Sequence, residues 1–395
     1  MFPTGRAEAV GGDKGLSAGQ LGCFPGPLEL TAFGPAKAVA PDRSPGEIRI
    51  NRTDAGKGRF QEKDPRLQKG RGKGGAGGSA RLWQEEGVQI AVIGAGISGL
   101  VCARRLMAGG HHVVVMEKSR SLGGRCATRK FGDHLVDTGA QYFTLRDAEI
   151  RKEVKEIAGD YLRKLEKTIL VNGEMYRPGE ERFYLANGNN RLGAFLSEGM
   201  DVRRESEVGR VIQEGRKWKV EGKEYDGVVS SAPWPQTAAL FGMDAGMVLF
   251  EPNLTLLLEY TIDWEGSFYA KMNSSGRDPL AWVACENGKA GRIQNGRSVF
   301  VVQASVDYSR QNLEKKPEEW MGDLQLRFED AWGVDAAKRG AVFGHRWRYA
   351  RRSGDAVSPR MPEGLYVCGD SATDSRIESV WKHGEETAAQ ILAAG

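Results

Sequence analysis

Val88-Gln89-Ile90-Ala91-Val92-Ile93-Gly94-Ala95-Gly96-Ile97-Ser98-Gly99 is the stretch on which the reading of this chain turns. Its first half is short, apolar and β-branched and ends at glycine, as a buried strand does. Its second half is a glycine turn that opens a helical stretch, Leu100 to Ala108, which Gly109-Gly110 ends. His112 to Met116 then reads as a second strand, with Glu117 at its end. Gly94 permits the tight turn, Gly96 lacks the Cβ that would hold a pyrophosphate away, and Gly99 lets helix and strand pack closely. The first helical turn, which contains Ser98, offers free N–H groups and partial positive charge to phosphates. Glu117 lies 23 residues after Gly94, near the offset of about 20 expected of a carboxylate that accepts from a ribose hydroxyl. A glycine turn alone is common in α/β proteins. Strand, glycines, helix, strand and acid in this order point to a dinucleotide, and the acid favours FAD or NAD over NADP. Gly94, Gly96, Ser98, Gly99, Glu117 and the adjacent Lys118 are the cofactor-binding candidates of this segment.

Upstream, residues 1–86 hold 17 Gly, 7 Pro, 14 basic and 10 acidic residues. They carry the whole net charge of +4, leaving 42 side chains of each sign in the other 309 residues. A neutral remainder gives no indication of a basic domain built for nucleic acid. The tail lacks the apolar surface to offset the entropy of ordering it, so it reads as a disordered, solvated linker. It has neither the apolar region of a secretory signal nor the Ser-rich, acid-poor composition of a transit peptide. No Met lies between Met1 and Met107. The hypothesis is that residues 1–86 are not part of the working protein, with translation beginning at a non-ATG codon such as that of Leu82 or Val88. N-terminal sequencing of natively expressed protein tests this. No stretch approaches the roughly 18 consecutive apolar residues of a membrane span. Cys23, Cys102, Cys126, Cys285 and Cys368 are scattered without a CxxC pair, which argues against a metal site or disulfide framework and fits a reducing cytoplasm.

Downstream, three segments decide between FAD and NAD. Arg120-Ser121-Leu122-Gly123-Gly124-Arg125 resembles the second glycine motif of the glutathione-reductase-like flavoproteins, the group that includes amine oxidases. The resemblance implies that Gly124 and Arg125 run beside the FAD pyrophosphate. Asp137-Thr138-Gly139-Ala140-Gln141-Tyr142-Phe143 looks like the group's segment beneath the isoalloxazine, leading into a substrate domain. The Gln141 amide can both donate and accept at a flavin edge. Tyr142 and Phe143 serve equally as core aromatics. Gly364-Leu365-Tyr366-Val367-Cys368-Gly369-Asp370 is an apolar strand ending in Gly-Asp. The same resemblance makes Asp370 an acceptor from the ribityl chain, although an aspartate there also suits a helix N-cap. A helix from about Ser379 to Ile391 would aim its N-terminal turn at the flavin pyrimidine, with Glu378 just ahead of it as a further cofactor-binding candidate.

The expected fold is therefore α/β, a discontinuous Rossmann-like FAD-binding domain with an inserted α+β substrate domain on an antiparallel sheet. The FAD-binding parts are 87–143, 188–236 and 361–395, and the substrate parts 144–187 and 237–360. In the latter, helices are expected around Asp147 to Lys167 and Lys316 to Trp332. Strands are expected at Leu254 to Ile262, Ala281 to Cys285 and Val299 to Asp307, with a hairpin turn at Asn172-Gly173.

From Val88 onward the chain resembles the renalase-like FAD-dependent oxidoreductases. The resemblance rests on Ala232-Pro233-Trp234-Pro235-Gln236, Leu280 to Ala284, Lys289-Ala290-Gly291-Arg292, His345-Arg346-Trp347-Arg348-Tyr349-Ala350 and Cys368-Gly369-Asp370. It departs from that family at Ala186 to Asn190 and at Ile377 to Gly384, where Val380, Lys382 and His383 stand. The resemblance implies an oxidase that takes hydride from a misformed dihydronicotinamide dinucleotide and passes the electrons to O2, giving hydrogen peroxide. Alternation along a strand puts His345, Trp347 and Tyr349 on one face and Arg346 and Arg348 on the other, with Arg351 and Arg352 beyond. An aromatic face suits a flat ring, and nearby arginines suit anionic phosphates and oppose an amine. Gln141, His345, Trp347 and Tyr349 are thus the catalytic candidates. The alternatives are a related FAD enzyme acting on an amine or other hydrophobic substrate, and a flavin-binding module without turnover.

Overall fold

The apolar run at 89–93 forms the central strand of a five-stranded parallel sheet. Its order is Leu365–Val367, Gly227–Ser230, Gln89–Ile93, His112–Glu117 and Asp201–Arg204. In this computed structural model the described residues are 87–246, 249–356 and 360–394. The readings made for 1–86 lie outside them. Central strands of a parallel sheet are buried on both faces, which is why this run is continuous rather than alternating. Val92, Val115 and Val229 face the helices Ile97–Ala108 and Ile377–Ala394. Ala91, Ile93, Met116 and Val228 face the opposite way, against Val211, Trp218, Val220 and Tyr225. These last four lie on an antiparallel meander, Val211–Glu214, Lys217–Val220 and Lys223–Tyr225, that covers that side. The two helices meet closely at Gly384, where a Cβ would stand 2.5 Å from the Ser98 carbonyl oxygen.

The parallel sheet is assembled from three separated stretches of chain. Between them lies a seven-stranded sheet ordered Arg339–Ser353, Leu249–Tyr260, Ser298–Ala304, Leu280–Cys285, Phe268–Met272, Thr168–Val171 and Glu174–Met175. All its pairs are antiparallel except Phe268–Met272 with Thr168–Val171. Leu254, Leu256, Leu258 and Tyr260 alternate onto one face, against the helix Pro317–Trp332 through Trp320, Leu324 and Phe328. Leu257 points the other way, into Phe131 and Val136 of the hairpin Thr128–Phe131/His134–Asp137. Each fully buried leucine contributes about 1.5–3 kcal/mol, so the long strand holds both layers.

Several expected elements differ in extent. The helix read at Asp147 to Lys167 is Ala148–Ala158; Asp147 caps it and Gly159, at φ 50°, ends it. The strand read to Asp307 ends at Ala304, because Ser305 accepts from the Tyr308 N–H and caps a new helix, Val306–Asn312. The turn at Asn172-Gly173 has φ 51° and 93°, the left-handed pair a two-residue hairpin needs. Among the described residues no helix is long and apolar enough to cross a membrane.

Candidate functional site

The carboxyl ends of the parallel strands open onto a cavity of about 1220 Å³, closed on its other side by the seven-stranded sheet. Gly94 lies at φ +98°, its N–H donating to the Met116 carbonyl at 2.8 Å. A Cβ on Gly99 would stand 2.5 Å from the Gly94 carbonyl oxygen and 2.6 Å from Ser231 Oγ, so this glycine sets the helix–turn spacing. Gly96 is different. It lines the cavity, and its absent Cβ would meet nothing within 4 Å. Ser98 is buried in the first helical turn and also lines the cavity. The second glycine motif docks on the first: the Gly123 N–H donates to the Ala95 carbonyl at 2.8 Å. A Cβ on Gly124 would lie 3.2 Å from the Gly96 Cα.

Glu117 is buried at the cavity wall, one carboxylate oxygen accepting from the Ala95 N–H and the other from the Ser119 N–H, both at 2.8 Å. Lys118 beside it is exposed on the same wall. Arg125 and Asp370 both line the cavity, and they hold each other in a bidentate pair with an Nη2–Oδ1 distance of 2.6 Å. Asp370 also accepts from Ser375 Oγ at 2.8 Å.

Three of the named residues do not line the cavity: Gly99, which acts through the helix–turn spacing, and Gln141 and Glu378. The Gln141 amide nitrogen donates to the carbonyls of Asp137 and Gly139, and its oxygen lies 3.3 Å from the Tyr269 hydroxyl. Gly139 and Ala140 line the cavity in its stead. The Glu378 carboxylate accepts from the Asp147 N–H and so joins two helix starts, while Ile377 and Val380 line the cavity. In these last two cases the polar group is turned inward because a backbone partner sits there.

His345, Trp347 and Tyr349 do line the cavity from one strand, Arg339–Ser353. Trp347 Nε1 donates to the Thr138 carbonyl at 3.0 Å, and the His345 ring meets it edge-on with centroids 4.3 Å apart. Tyr349 packs edge-on against Phe250. Burial, with the Arg129 charge nearby, pushes the His345 imidazole below its ordinary value and keeps it neutral at pH 7. The arginines depart from expectation. Arg346 donates to the Leu313 carbonyl at 3.1 Å and Arg348 pairs with Glu314. Arg351 pairs with Glu251, and Arg352 donates to the carbonyls of Asp370 and Thr373 at 2.8 and 2.9 Å. All four are taken by the protein itself.

The sequence reading missed other parts of the wall. Asn253, Trp282 and Gln303 face the cavity from three neighbouring strands. Only their register in the sheet brings them together, and no local pattern marks it. Burial holds the Cys126 and Cys285 thiols up at about 12, which leaves neither a ready nucleophile. Among the described residues no group of His, Cys, Asp and Glu could hold a metal ion.

Residues 92–157 match the NAD(P)-binding Rossmann-like domain family. A putative protoporphyrinogen oxidase from Exiguobacterium has a similar structure, with TM-score 0.66 and 12% identity over 78% of this chain and 99% of that one. Cyclohexylamine oxidase from Brevibacterium oxydans gives TM-score 0.60 and 12% identity, again over 78% and 99%. A curated relative, 4-hydroxybenzoate brominase (decarboxylating) of Pseudoalteromonas luteoviolacea, is 48% identical over 54 residues, 14% of this chain. The matched part spans only 10% of that relative's length. These comparisons place the chain by its architecture: it has a Rossmann-like α/β fold, which it shares with those two solved structures.

Proposed function

We propose that this chain is an FAD-dependent oxidase whose substrate is a dihydronicotinamide, a misformed isomer of NAD(P)H. The fit to FAD rests on the cradle: open space at the missing Gly96 Cβ, a second glycine turn seated against it, and the amide-rich start of the helix Ile97–Ala108. The cavity exceeds the roughly 300–1,000 Å³ of ordinary small-molecule pockets, which leaves room for a second ligand. Gly94, Gly96, Ser98, Gly99, Glu117, Lys118, Gly124, Arg125 and Asp370 would hold the cofactor. When bound, FAD supplies a hydride acceptor and a route for electrons to O2, with hydrogen peroxide as product. The chain divides on this reading into cofactor parts 87–143, 188–236 and 361–395, and substrate parts 144–187 and 237–360.

One observation carries the substrate: the face made by His345, Trp347 and Tyr349 is aromatic and uncharged. It suits a neutral flat ring, which gives up hydride with the help of its own nitrogen and needs only orientation. The second reading, amine oxidation, is favoured by the likeness in fold to an oxidase named for cyclohexylamine. An ammonium substrate would want a free carboxylate, and the two beside this face, Glu251 and Asp370, are paired with Arg351 and Arg125. The test is anaerobic stopped-flow mixing of the yellow protein with 2-, 4- and 6-dihydro-NAD and with a benzylic amine. Fast bleaching by the 2- or 6-dihydro isomer alone is expected. Bleaching by the amine alone would transfer the enzyme to the second reading.

A further inference from the structure

The segment Lys289-Ala290-Gly291-Arg292, one of those that carry the family resemblance, has no role in the site described so far, yet it carries two cations that are almost wholly buried. Lys289 Nζ lies 2.7 Å from Asp137 Oδ2 and 2.8 Å from Glu286 Oε1. Arg292 Nη2 lies 3.0 Å from the same Asp137 oxygen, and Nη1 3.4 Å from Glu286 Oε2. Two cations and two carboxylates thus form a charge-balanced quartet with side chains at most 1% exposed. Asp137 Oδ1 is filled as well, by Thr128 Oγ1 at 2.5 Å and the Asn189 N–H at 3.1 Å. Burial alone would raise the Asp137 carboxyl, but Lys289 and Arg292 more than reverse this and keep it ionised.

Asp137 opens the strip 137–141, of which Gly139 and Ala140 line the cavity. Backbone N–H groups hold one edge of the strip, Thr138 and Gly139 donating to the Ala127 carbonyl and Ala140 to the Arg125 carbonyl, and side chains hold its carbonyls. Gln141 binds the carbonyls of Asp137 and Gly139, Asn189 that of Ala140 at 2.9 Å, and Trp347 that of Thr138. The Tyr269 hydroxyl, 2.7 Å from Glu286 Oε1 and 3.3 Å from Gln141 Oε1, joins the quartet to Gln141. We propose that Lys289 and Arg292 are positioning residues, which fix this wall of the cavity by clamping Asp137. Apolar side chains of like volume fill buried space as stably as a salt bridge. They cannot orient a carboxylate, and orientation is what a wall beneath a reacting ring requires.

The proposal rests on the cavity being an FAD site, and the experiment separates the two. The charge-balanced double variant Asp137→Asn/Lys289→Met is compared with wild type by thermal unfolding, by titration of the apo-protein with FAD, and by anaerobic reduction with 6-dihydro-NAD. The expected result is cooperative unfolding, an FAD Kd raised about tenfold, and a reduction rate constant lowered by up to about 100-fold with KM within threefold of wild type. A folded double variant with wild-type FAD Kd and reduction rate overturns the proposal. If the double variant fails to fold, Tyr269→Phe takes its place, since it cuts the link to Gln141 by one hydroxyl. Wild-type FAD Kd and rate in that variant overturn the proposal equally. Wild-type protein that takes up no FAD overturns the functional reading beneath it.

Discussion

Gly96 and Gly99 sit three residues apart in one turn, and alanine should do opposite things at them. At Gly96 the backbone has φ −70° and ψ 167°, which any residue adopts. A Cβ there meets no protein atom within 4 Å. Alanine in place of an N-cap glycine costs up to about 1 kcal/mol, and the lower entropy of the unfolded chain returns about 0.4–1 kcal/mol. The apo-protein should therefore melt as wild type does. The methyl instead fills the place where a phosphate would meet the backbone. Losing one hydrogen bond to a charged group costs about 1.5–3 kcal/mol, which is roughly a 10- to 150-fold rise in FAD Kd. At Gly99 a Cβ collides with a backbone oxygen at 2.5 Å, which cannot swing aside. Overpacking of that kind costs about 1–3 kcal/mol, or a Tm lower by roughly 2–10 °C in a unit of this size. Thermal unfolding of the two apo-proteins and fluorescence titration with FAD measure both quantities. Gly96→Ala protein that binds FAD like wild type would refute the cradle, and Gly99→Ala protein of unchanged Tm would refute the packing argument.

Three other outcomes follow from the same geometry. Trp347→Phe leaves the Thr138 carbonyl without its donor, at a cost of about 0.5–1.5 kcal/mol, and should lower Tm and raise substrate KM; unchanged values would remove Trp347 from the cavity wall. Arg348→Ala breaks only an exposed pair with Glu314, worth about 0–1 kcal/mol, so KM for 6-dihydro-NAD should stay within about twofold; a tenfold rise would return this arginine to the substrate. His345 is held below its ordinary value by burial and by Arg129, so the unfolded chain binds its proton more readily than the native one. Its contribution to stability is then complete above about pH 6.5 and declines as pH falls through the lower native value. A kcat/KM profile with no inflection near pH 6.5 is expected, and one that His345→Gln abolishes would contradict it.

How much of this was legible depended on how local the signal was. The strand, the two glycine turns and Glu117 fall within 37 consecutive residues, 89–125, and each residue type there has one backbone reason to be present. The hairpin at Asn172-Gly173 was readable for the same reason. The helix Val306–Asn312 was missed because Val299 to Asp307 runs on as apolar and β-branched, and the one stop signal is Ser305 as a cap. Gln141 and Glu378 show the limit more sharply. An amide or carboxylate beside a cavity can face in or out, and Gln141 faces inward toward Tyr269, 128 residues away in the chain. Nothing near position 141 in the sequence records that partner.

The arginines changed the argument about the substrate while leaving its direction in place. Read from sequence, Arg346, Arg348, Arg351 and Arg352 favoured an anion. In the structure Arg348 and Arg351 are paired with glutamates, and Arg346 and Arg352 with carbonyls. The pairing of Arg351 with Glu251 equally removes a carboxylate that could have held an ammonium, and Arg125 does the same to Asp370. Both charge arguments therefore cancel, and the neutral aromatic face is what remains to choose the ring. A consequence can be measured. If no arginine neutralises the phosphates of a dinucleotide substrate, its capture depends little on long-range charge. Between roughly 0.01 and 0.15 M salt the Debye length shrinks from about 30 to about 8 Å, which screens any attraction that exists between exposed charges. KM for 6-dihydro-NAD should then move by less than about threefold across that range, since the ring and not the phosphates sets the affinity. A KM that climbs tenfold or more with salt would mean that exposed cations on the cavity wall, Arg346 and Arg348 among them, take the phosphates after all.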